Sequence, residues 1–207
     1  NNMRISYAIT VCNELKEIKT LFSNLIDAVR DEDEICVLLD EPKASAELVE
    51  LLESLESNDI IRLRKDQFNG DFSEWKNKLN SMCSKDYIFQ LDADETLSVE
   101  FVDYLPQLLE ENSHIDLLSV ARINIVNGIT PEHIKRWNWN VDSNGFINFP
   151  DYQTRIYRNI DSIHWSGKVH ERITGYRTYG TVPDSMCLIH IKDIERQEKQ
   201  NEYYNTL

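Results

Sequence analysis

Asp92 and Asp94 stand two residues apart at the end of a short apolar run, Tyr87-Ile88-Phe89-Gln90-Leu91, and Glu95 follows them. On an extended chain, residues two apart point to the same side, so both carboxylates can aim at one point. Left alone, such a pair repels itself. A hard divalent cation relieves the repulsion and often completes its shell with substrate phosphates. The competing reading is a polar turn after a strand, because Asp-rich turns are common. A buried strand ending in acids also places them at the carboxyl edge of a sheet, where open α/β folds bind ligands.

The elements that would position these acids can be read from periodicity. Residues 5–12 are apolar and β-branched and predict a strand. Leu15, Ile18, Leu21, Phe22, Leu25, Ile26 and Val29 then recur at helical spacing. Residues 35–39 predict a second buried strand, ending in Asp40-Glu41, and Pro42 suits the first turn of the next helix, with its stripe of Leu48, Leu51, Leu52 and Leu55. A third strand is expected over residues 60–63. After Asn69-Gly70, a third helix follows over 72–83, with Trp75, Leu79 and Met82 facing inward. The acid-bearing strand comes next. This β-α-β-α-β-α-β alternation predicts an α/β fold with a mainly parallel sheet covered by helices on both faces.

Beyond Thr96 the pattern changes. Ser98 is placed to cap a helix through about residue 112, with Pro106 inside it, and residues 115–126 form a long strand-like run. Residues 127–150 look irregular. Short strand-like segments follow at 152–157, 169–173 and 186–191, and a polar helix over 193–205 closes the pattern. No linker divides the chain, so residues 1–207 are expected to form one domain, with a first half (1–97) and a second half (98–207).

Composition narrows the partners. A formal net charge of −14 over 207 residues argues against nucleic acid or an anionic membrane surface. It leaves room for a nucleotide neutralised by a metal and a few local bases. Cys12, Cys36, Cys83 and Cys187 are scattered, fitting neither a zinc pattern nor a disulfide framework, so a reducing, cytoplasmic compartment is expected. No apolar run reaches the length of a transmembrane helix, and no secretory segment opens the chain. The first strand is followed by neither a dinucleotide-binding glycine fingerprint nor a phosphate-binding lysine loop. Asn13-Glu14, Asp40-Glu41 and Asp92-Ala93-Asp94-Glu95 all end strands at one edge, which predicts a binding rim with a metal on Asp92 and Asp94 holding the phosphates.

The chain resembles family-2 glycosyltransferases of the GT-A fold, especially the small lipopolysaccharide-core glucosyltransferase-like branch. The matching stretches run through almost the whole sequence in order. They are residues 9–14 (Ile-Thr-Val-Cys-Asn-Glu), 71–77 (Asp-Phe-Ser-Glu-Trp-Lys-Asn), 86–95, 149–158 (Phe-Pro-Asp-Tyr-Gln-Thr-Arg-Ile-Tyr-Arg), 167–171 (Gly-Lys-Val-His-Glu), and His190 before a helix carrying Glu198-Lys199 and Tyr203-Tyr204. The stretch Trp75-Lys76-Asn77 departs from the family, which usually has a small residue and arginine before the asparagine; lysine keeps the charge and loses the planar fork.

The resemblance implies a nucleoside-diphosphate sugar, UDP-linked, on the first half, with Thr10, Val11, Asn13, Glu14, Asp40, Lys76, Asn77, Asp92 and Ala93 around it. It implies Mn²⁺ or Mg²⁺ on Asp92, Asp94 and His190, the imidazole tilting preference toward Mn²⁺. A hydrogen-bonded structural histidine is the alternative for His190. An inverting transfer needs a base, and Glu171 is the expected one, with His170 as its substitute or orienter and Glu95 as a weaker candidate. Trp137, Trp139 and Trp165 lie where an acceptor saccharide could stack, or belong to the core. Arg155 and Arg158 could reach a diphosphate or an anionic acceptor, or form surface ion pairs. A silent glycan- or nucleotide-binding module and a sugar-phosphate nucleotidyltransferase stand as alternative functions.

Overall fold

A computed structural model describes residues 3–206, apart from the side chains of residues 193, 194, 196 and 204. Tyr204, quoted above with Tyr203, therefore has its side chain outside the described residues.

The first half is built on four parallel strands: β1 (Ile5–Val11), β2 (Glu34–Asp40), β3 (Arg62–Asp66) and β4 (Tyr87–Asp92), in the order β3-β2-β1-β4. In β1, Ile5, Tyr7, Ile9 and Val11 point to one face and Ala8 to the other, the period-2 alternation of a strand buried on both sides. The first face packs on α1 (Leu15–Leu25), α2 (Ala46–Ser57) and α4 (Val99–Glu111), through Leu21, Leu48 and Phe101 among others. The second face packs on α3 (Phe72–Met82) through Trp75 and Leu79. Each such aliphatic side chain contributes roughly 1.5–3 kcal/mol when fully buried.

Three of these helices start on the residues that suit a start. The Ser45, Asp71 and Ser98 side chains accept from the backbone N–H groups of Leu48, Glu74 and Phe101, caps worth about 1 kcal/mol each. Pro42 is not in the first turn of α2; it lies in a separate 3₁₀ turn, Glu41–Lys43, and α2 begins after Ser45. The third strand also starts later than its apolar residues suggest. Asp59 takes a left-handed φ of 58° at the end of α2, and Ile60 N–H folds back to Leu55 O, so pairing begins at Arg62.

After β4 the chain forms the two-residue β5 (Glu95–Thr96), then α4, which runs through Pro106, then β6 (Leu117–Asn127). A short helix α5 (Pro131–Trp137), begun by Thr130 and His133 capping each other, occupies part of the stretch read as irregular. Strand β7 (Asp151–Arg158) inserts antiparallel between β4 and β6. It is followed by the β8 (His164–Ser166) and β9 (Arg172–Thr174) hairpin, β10 (Tyr179–Thr181), β11 (Cys187–Asp193) and α6 (Ile194–Thr206). Among the described residues, the main sheet has nine strands along the path β3-β2-β1-β4-β7-β6-β11-β5, with β10 beside β6. Strand β9 is shorter than the expected 169–173 segment, which leaves His170 and Glu171 on a loop. Among the described residues, no helix is long and apolar enough to cross a membrane.

Candidate active site

The parallel register aligns Thr10 with Leu38 on one side and with Asp92 on the other, so the carboxyl ends of β1, β2 and β4 meet. A cavity of about 670 Å³ opens there. Thr10, Val11, Asn13, Glu14, Asp40, Lys76, Asp92, Ala93, Asp94, Arg155, Glu171 and His190 all line it. Glu14 turns back to accept from the backbone N–H groups of Cys12 and Asn13 at 2.6 and 3.0 Å, shaping the turn after β1. Asp40, almost wholly buried, accepts from Phe68 N–H at 3.1 Å and so ties the next loop to β2.

The floor of the cavity is a charge network centred on the buried Glu95 and Arg155, with the more exposed Asp92 at its edge. Glu95 is 1% exposed and takes a two-pronged contact from Arg155, with Nη2 donating to Oε2 at 2.9 Å. It also accepts from Arg122 Nη1 at 3.2 Å and from Asp92 N–H at 2.8 Å. Arg155 donates in turn to Asp92 Oδ2 at 3.3 Å, and Gln90 Nε2 donates to Asp92 Oδ1 at 3.1 Å. Burial would raise the Asp92 pKa, but Arg155, Lys76 and Arg122 outweigh it and hold the carboxyl well below the usual range. This placement removes Glu95 as a base, because both its oxygens are committed. It also corrects two readings of the arginines. Arg155 is 4% exposed, its guanidinium paired to Glu95 and Asp92 at the base of the cavity and not in a surface ion pair. Arg158 lies at the opposite end of β7, paired with Asp116 at 3.0 Å and set over the Tyr87 ring.

Above this floor, Asp94 Oδ2 and His190 Nε2 approach to 2.9 Å. The other ring nitrogen, Nδ1, contacts Asn124 Oδ1 at 3.1 Å. Burial is the largest influence on Asp94 and disfavours its ionised form, but the His190 hydrogen bond and charge, together with Lys192, outweigh it and hold the carboxyl below its ordinary value. The 2.9 Å spacing is also what two adjacent ligands take around an ion bound at roughly 2.1 Å. Asp94 and His190 thus fit as one edge of a Mn²⁺ or Mg²⁺ shell completed by phosphate oxygens and water. Asp92 does not join them: its carboxylate is turned to Arg155 and Gln90, and among the described residues no group of three His, Cys, Asp or Glu side chains is arranged to hold a metal.

The opposite wall carries Lys76 and Glu171. Lys76 Nζ donates to Glu171 Oε1 at 2.7 Å and sits 4.1 Å above the Trp165 ring. The loop bearing Glu171 is held against the start of α3: Phe72 N–H donates to Lys168 O at 2.9 Å, and the Ser73 hydroxyl donates to Gly167 O. Gly167 has a φ of +94°, and a Cβ there would meet His170 O at 3.1 Å, so glycine is required for the loop to close.

Other expected site residues stand elsewhere. Asn77 does not reach the cavity; its amide pins β8, donating to Trp165 O at 2.9 Å and accepting from Trp165 N–H at 2.8 Å. Trp165 is 5% exposed, donates from Nε1 to Tyr157 OH at 3.1 Å, and is core and no stacking platform for a sugar. His170 is exposed and outside the cavity lining. Trp137 and Trp139 pack on each other at 4.8 Å near α5, and Trp139 lines a second cavity of about 280 Å³ that shares Arg122 and His190 with the first.

Arg122 and Asn124 were not singled out by sequence reasoning, and Asp151 and Gln153 entered only as part of the stretch 149–158, with no role given. Their signal was present: polar residues recurring at even spacing in strands, Arg122 and Asn124 in β6 and Asp151 and Gln153 in β7, put them on one face.

No curated protein sequence matches the chain significantly. Among solved structures, residues 1–349 of S. aureus TarS in complex with UDP-GlcNAc superimpose with a TM-score of 0.62 at 16% identity, covering 92% of this chain and 59% of that one. The UDP complex of the same TarS fragment gives 0.60 at 16% identity, covering 91% and 60%. The chain therefore spans about three fifths of that TarS fragment. The mixed, mainly parallel sheet with its flanking helices is a GT-A fold. The sequence profile of glycosyl transferase family 2 matches residues 6–179, and the chain belongs to that family.

Proposed function

We propose that the protein transfers a sugar from a nucleoside-diphosphate donor to an acceptor hydroxyl, with the donor in the 670 Å³ cavity and a divalent cation, Mn²⁺ or Mg²⁺, on Asp94 and His190. The carrying observation is the meeting of Asp94, His190, Lys76 and Glu171 around one cavity at the carboxyl ends of β1 and β4. The TarS complexes with UDP-GlcNAc and UDP, on the same fold, support a UDP-linked hexose as the donor. On this reading the cytoplasmic enzyme resembles the lipopolysaccharide-core glucosyltransferase branch. Residues 1–207 act as one domain, 1–97 holding the donor and 98–207 the acceptor.

Each side chain then has a task. Thr10, Asn13 and Asp40 line the nucleoside end. A bound cation supplies Lewis-acid stabilisation of the departing diphosphate. Lys76 exchanges Glu171 for a diphosphate oxygen as the donor enters, which leaves Glu171 free to accept a proton. The acceptor oxygen forms the new bond to the anomeric carbon from the face opposite the diphosphate, and the carbon–oxygen bond to the diphosphate breaks with its electron pair on the departing oxygen. The acceptor's proton passes to Glu171, and because attack comes from the face opposite the leaving group the anomeric configuration inverts. One observation favours the silent binding module instead: Glu171 is already paired with Lys76 at 2.7 Å.

A panel of nucleotide sugars and saccharide acceptors, read by nucleoside-diphosphate release with and without Mn²⁺, separates the two. Acceptor- and metal-dependent release is the expected result. UDP binding with no release across the panel would leave the binding module.

A further inference from the structure

We propose that the second cavity, of about 280 Å³, is a subsite for one neutral pyranose ring, supplied by the donor's hexose or by a unit of the acceptor. The ring's source rests on the glycosyl-transfer reading; its chemistry rests on the lining alone.

The two cavities share Arg122, His190, Lys192 and Gln200, so a ligand that crosses this border joins them. In the second cavity the charged side chains are already engaged within the protein. Asp151 receives Arg122 Nε at 3.0 Å and Nη2 at 2.9 Å, and Arg122 also reaches Glu95 at 3.2 Å. His190 lies 2.9 Å from Asp94, and Lys192 Nζ donates to Gln200 Oε1. What the lining has left over is amide. Gln197, Gln200 and Asn201 share one face of α6, at spacings of three and four residues. Gln197 Nε2 donates to Asn201 Oδ1 at 2.9 Å, and Asn148 Oδ1 accepts from Asn140 N–H at 2.8 Å. Among the described residues, these contacts leave the NH₂ groups of Asn148, Gln200 and Asn201 and the carbonyl of Gln197 without a protein partner. A hydroxyl both donates and accepts, so this mixture of amide ends suits a neutral polyol. The rest of the wall is apolar and fixed. Trp139 packs on Trp137 at 4.8 Å, its backbone N–H donates to Ile134 O at 3.0 Å, and Ile147 N–H donates to Asn124 O at 2.8 Å. Glu198 fastens α6 to α5 through His133 and Arg136, each at 3.2 Å. The indole of Trp139, beside the buried Ile147, meets the C–H face of a pyranose while the amides meet its hydroxyls. With less than half the volume of the first cavity, the second takes a single ring and no longer chain.

Two measurements separate the sources of the ring. Saturation-transfer NMR with the methyl glycosides of glucose, galactose, mannose and N-acetylglucosamine, on protein mixed with UDP, reads a ring from the acceptor. Calorimetry of UDP against UDP-glucose and UDP-N-acetylglucosamine reads a ring from the donor. The variants are Trp139→Ala and Gln197→Leu, the second serving if the first fails to fold. If the ring is the acceptor's, a glycoside should bind the wild type, and either variant should weaken it about three- to tenfold, the worth of one such contact, with donor affinity unchanged. If the ring is the donor's, a UDP-sugar should bind more tightly than UDP, and either variant should remove that margin without touching UDP itself. A wild type with neither glycoside binding nor a UDP-sugar margin would overturn the proposal. So would variants that leave the observed binding or margin unaltered, or inorganic phosphate that competes the glycoside away. If the wild type binds no UDP, the donor reading of the first cavity falls by itself, and the glycoside measurement still decides the subsite.

Discussion

Two sets of charges face the same cavity and are held in opposite ways. On the floor, Glu95 is shut away from water and shared among Arg155, Arg122 and the Asp92 backbone, so removing any member strands a buried charge. On the walls, Glu171 meets Lys76 with side chains 17% and 15% exposed, and Asp94 meets His190 with 16% and 10% exposed. A wall charge can trade its protein partner for a ligand phosphate, a metal or a proton. A floor charge cannot without unfolding its surroundings. Carboxylates three residues or fewer apart in sequence, Asp92, Asp94 and Glu95, thus divide between architecture and chemistry.

Variants on the two sides should separate stability from activity. The largest effect is expected for Glu95→Ala, which leaves the Arg155 guanidinium buried without its main counter-ion and should cost about 3–5 kcal/mol. Urea unfolding measures it; a midpoint that scarcely moves would dissolve the distinction between floor and wall. Glu171→Gln should act in the other sense. Turnover should fall by about 10²–10⁴-fold, as loss of a general base does, while UDP affinity and the unfolding midpoint stay near wild type. A variant that transfers sugar at close to full rate would move the base elsewhere, His170 being the next candidate.

A smaller effect concerns pH. The folded-state pKa of Asp92 is depressed, so its contribution to stability is complete above the unfolded carboxylate pKa of about 4 and is lost as pH falls toward the folded value. Asp92→Asn should flatten the acid limb of the stability–pH curve below about pH 4 and leave the curve between pH 5 and 8 nearly parallel to wild type. An unchanged acid limb would mean that Asp92 is not coupled to Arg155 as the geometry requires.

Strands β1 to β4 were legible because each βαβ unit carries its own signature: an apolar run, a helical stripe, then another run. Their parallel order then follows from handedness and adjacency. The later strands were not ordered in advance. The place of β7 between β4 and β6 is decided by pairings such as Phe89 with Ile156 and Val120 with Gln153, far apart in the chain. The site divides in the same manner. Asp92 and Asp40 are strand ends and Asp94 sits in the turn just after one, and strand ends are visible in a pattern. That Glu95 belongs to Arg155, sixty residues away, or that Asn77 spends its amide on the Trp165 backbone, is set by tertiary packing alone. Arg122 and Asn124 were passed over because a polar residue inside a strand reads as a solvated face; here that face is the wall of the cavity.

The central claim, that Asp94 and His190 carry the cation that holds the donor's diphosphate, is tested most directly by calorimetry of UDP binding to the wild type and to Asp94→Asn, with and without Mn²⁺. The wild type should bind UDP more tightly when Mn²⁺ is present. Asp94→Asn should lose at least tenfold of that metal-dependent affinity, about 1.4 kcal/mol, while its metal-free affinity and unfolding midpoint stay unchanged. Equal Mn²⁺-dependent UDP affinity in the two proteins would contradict the account.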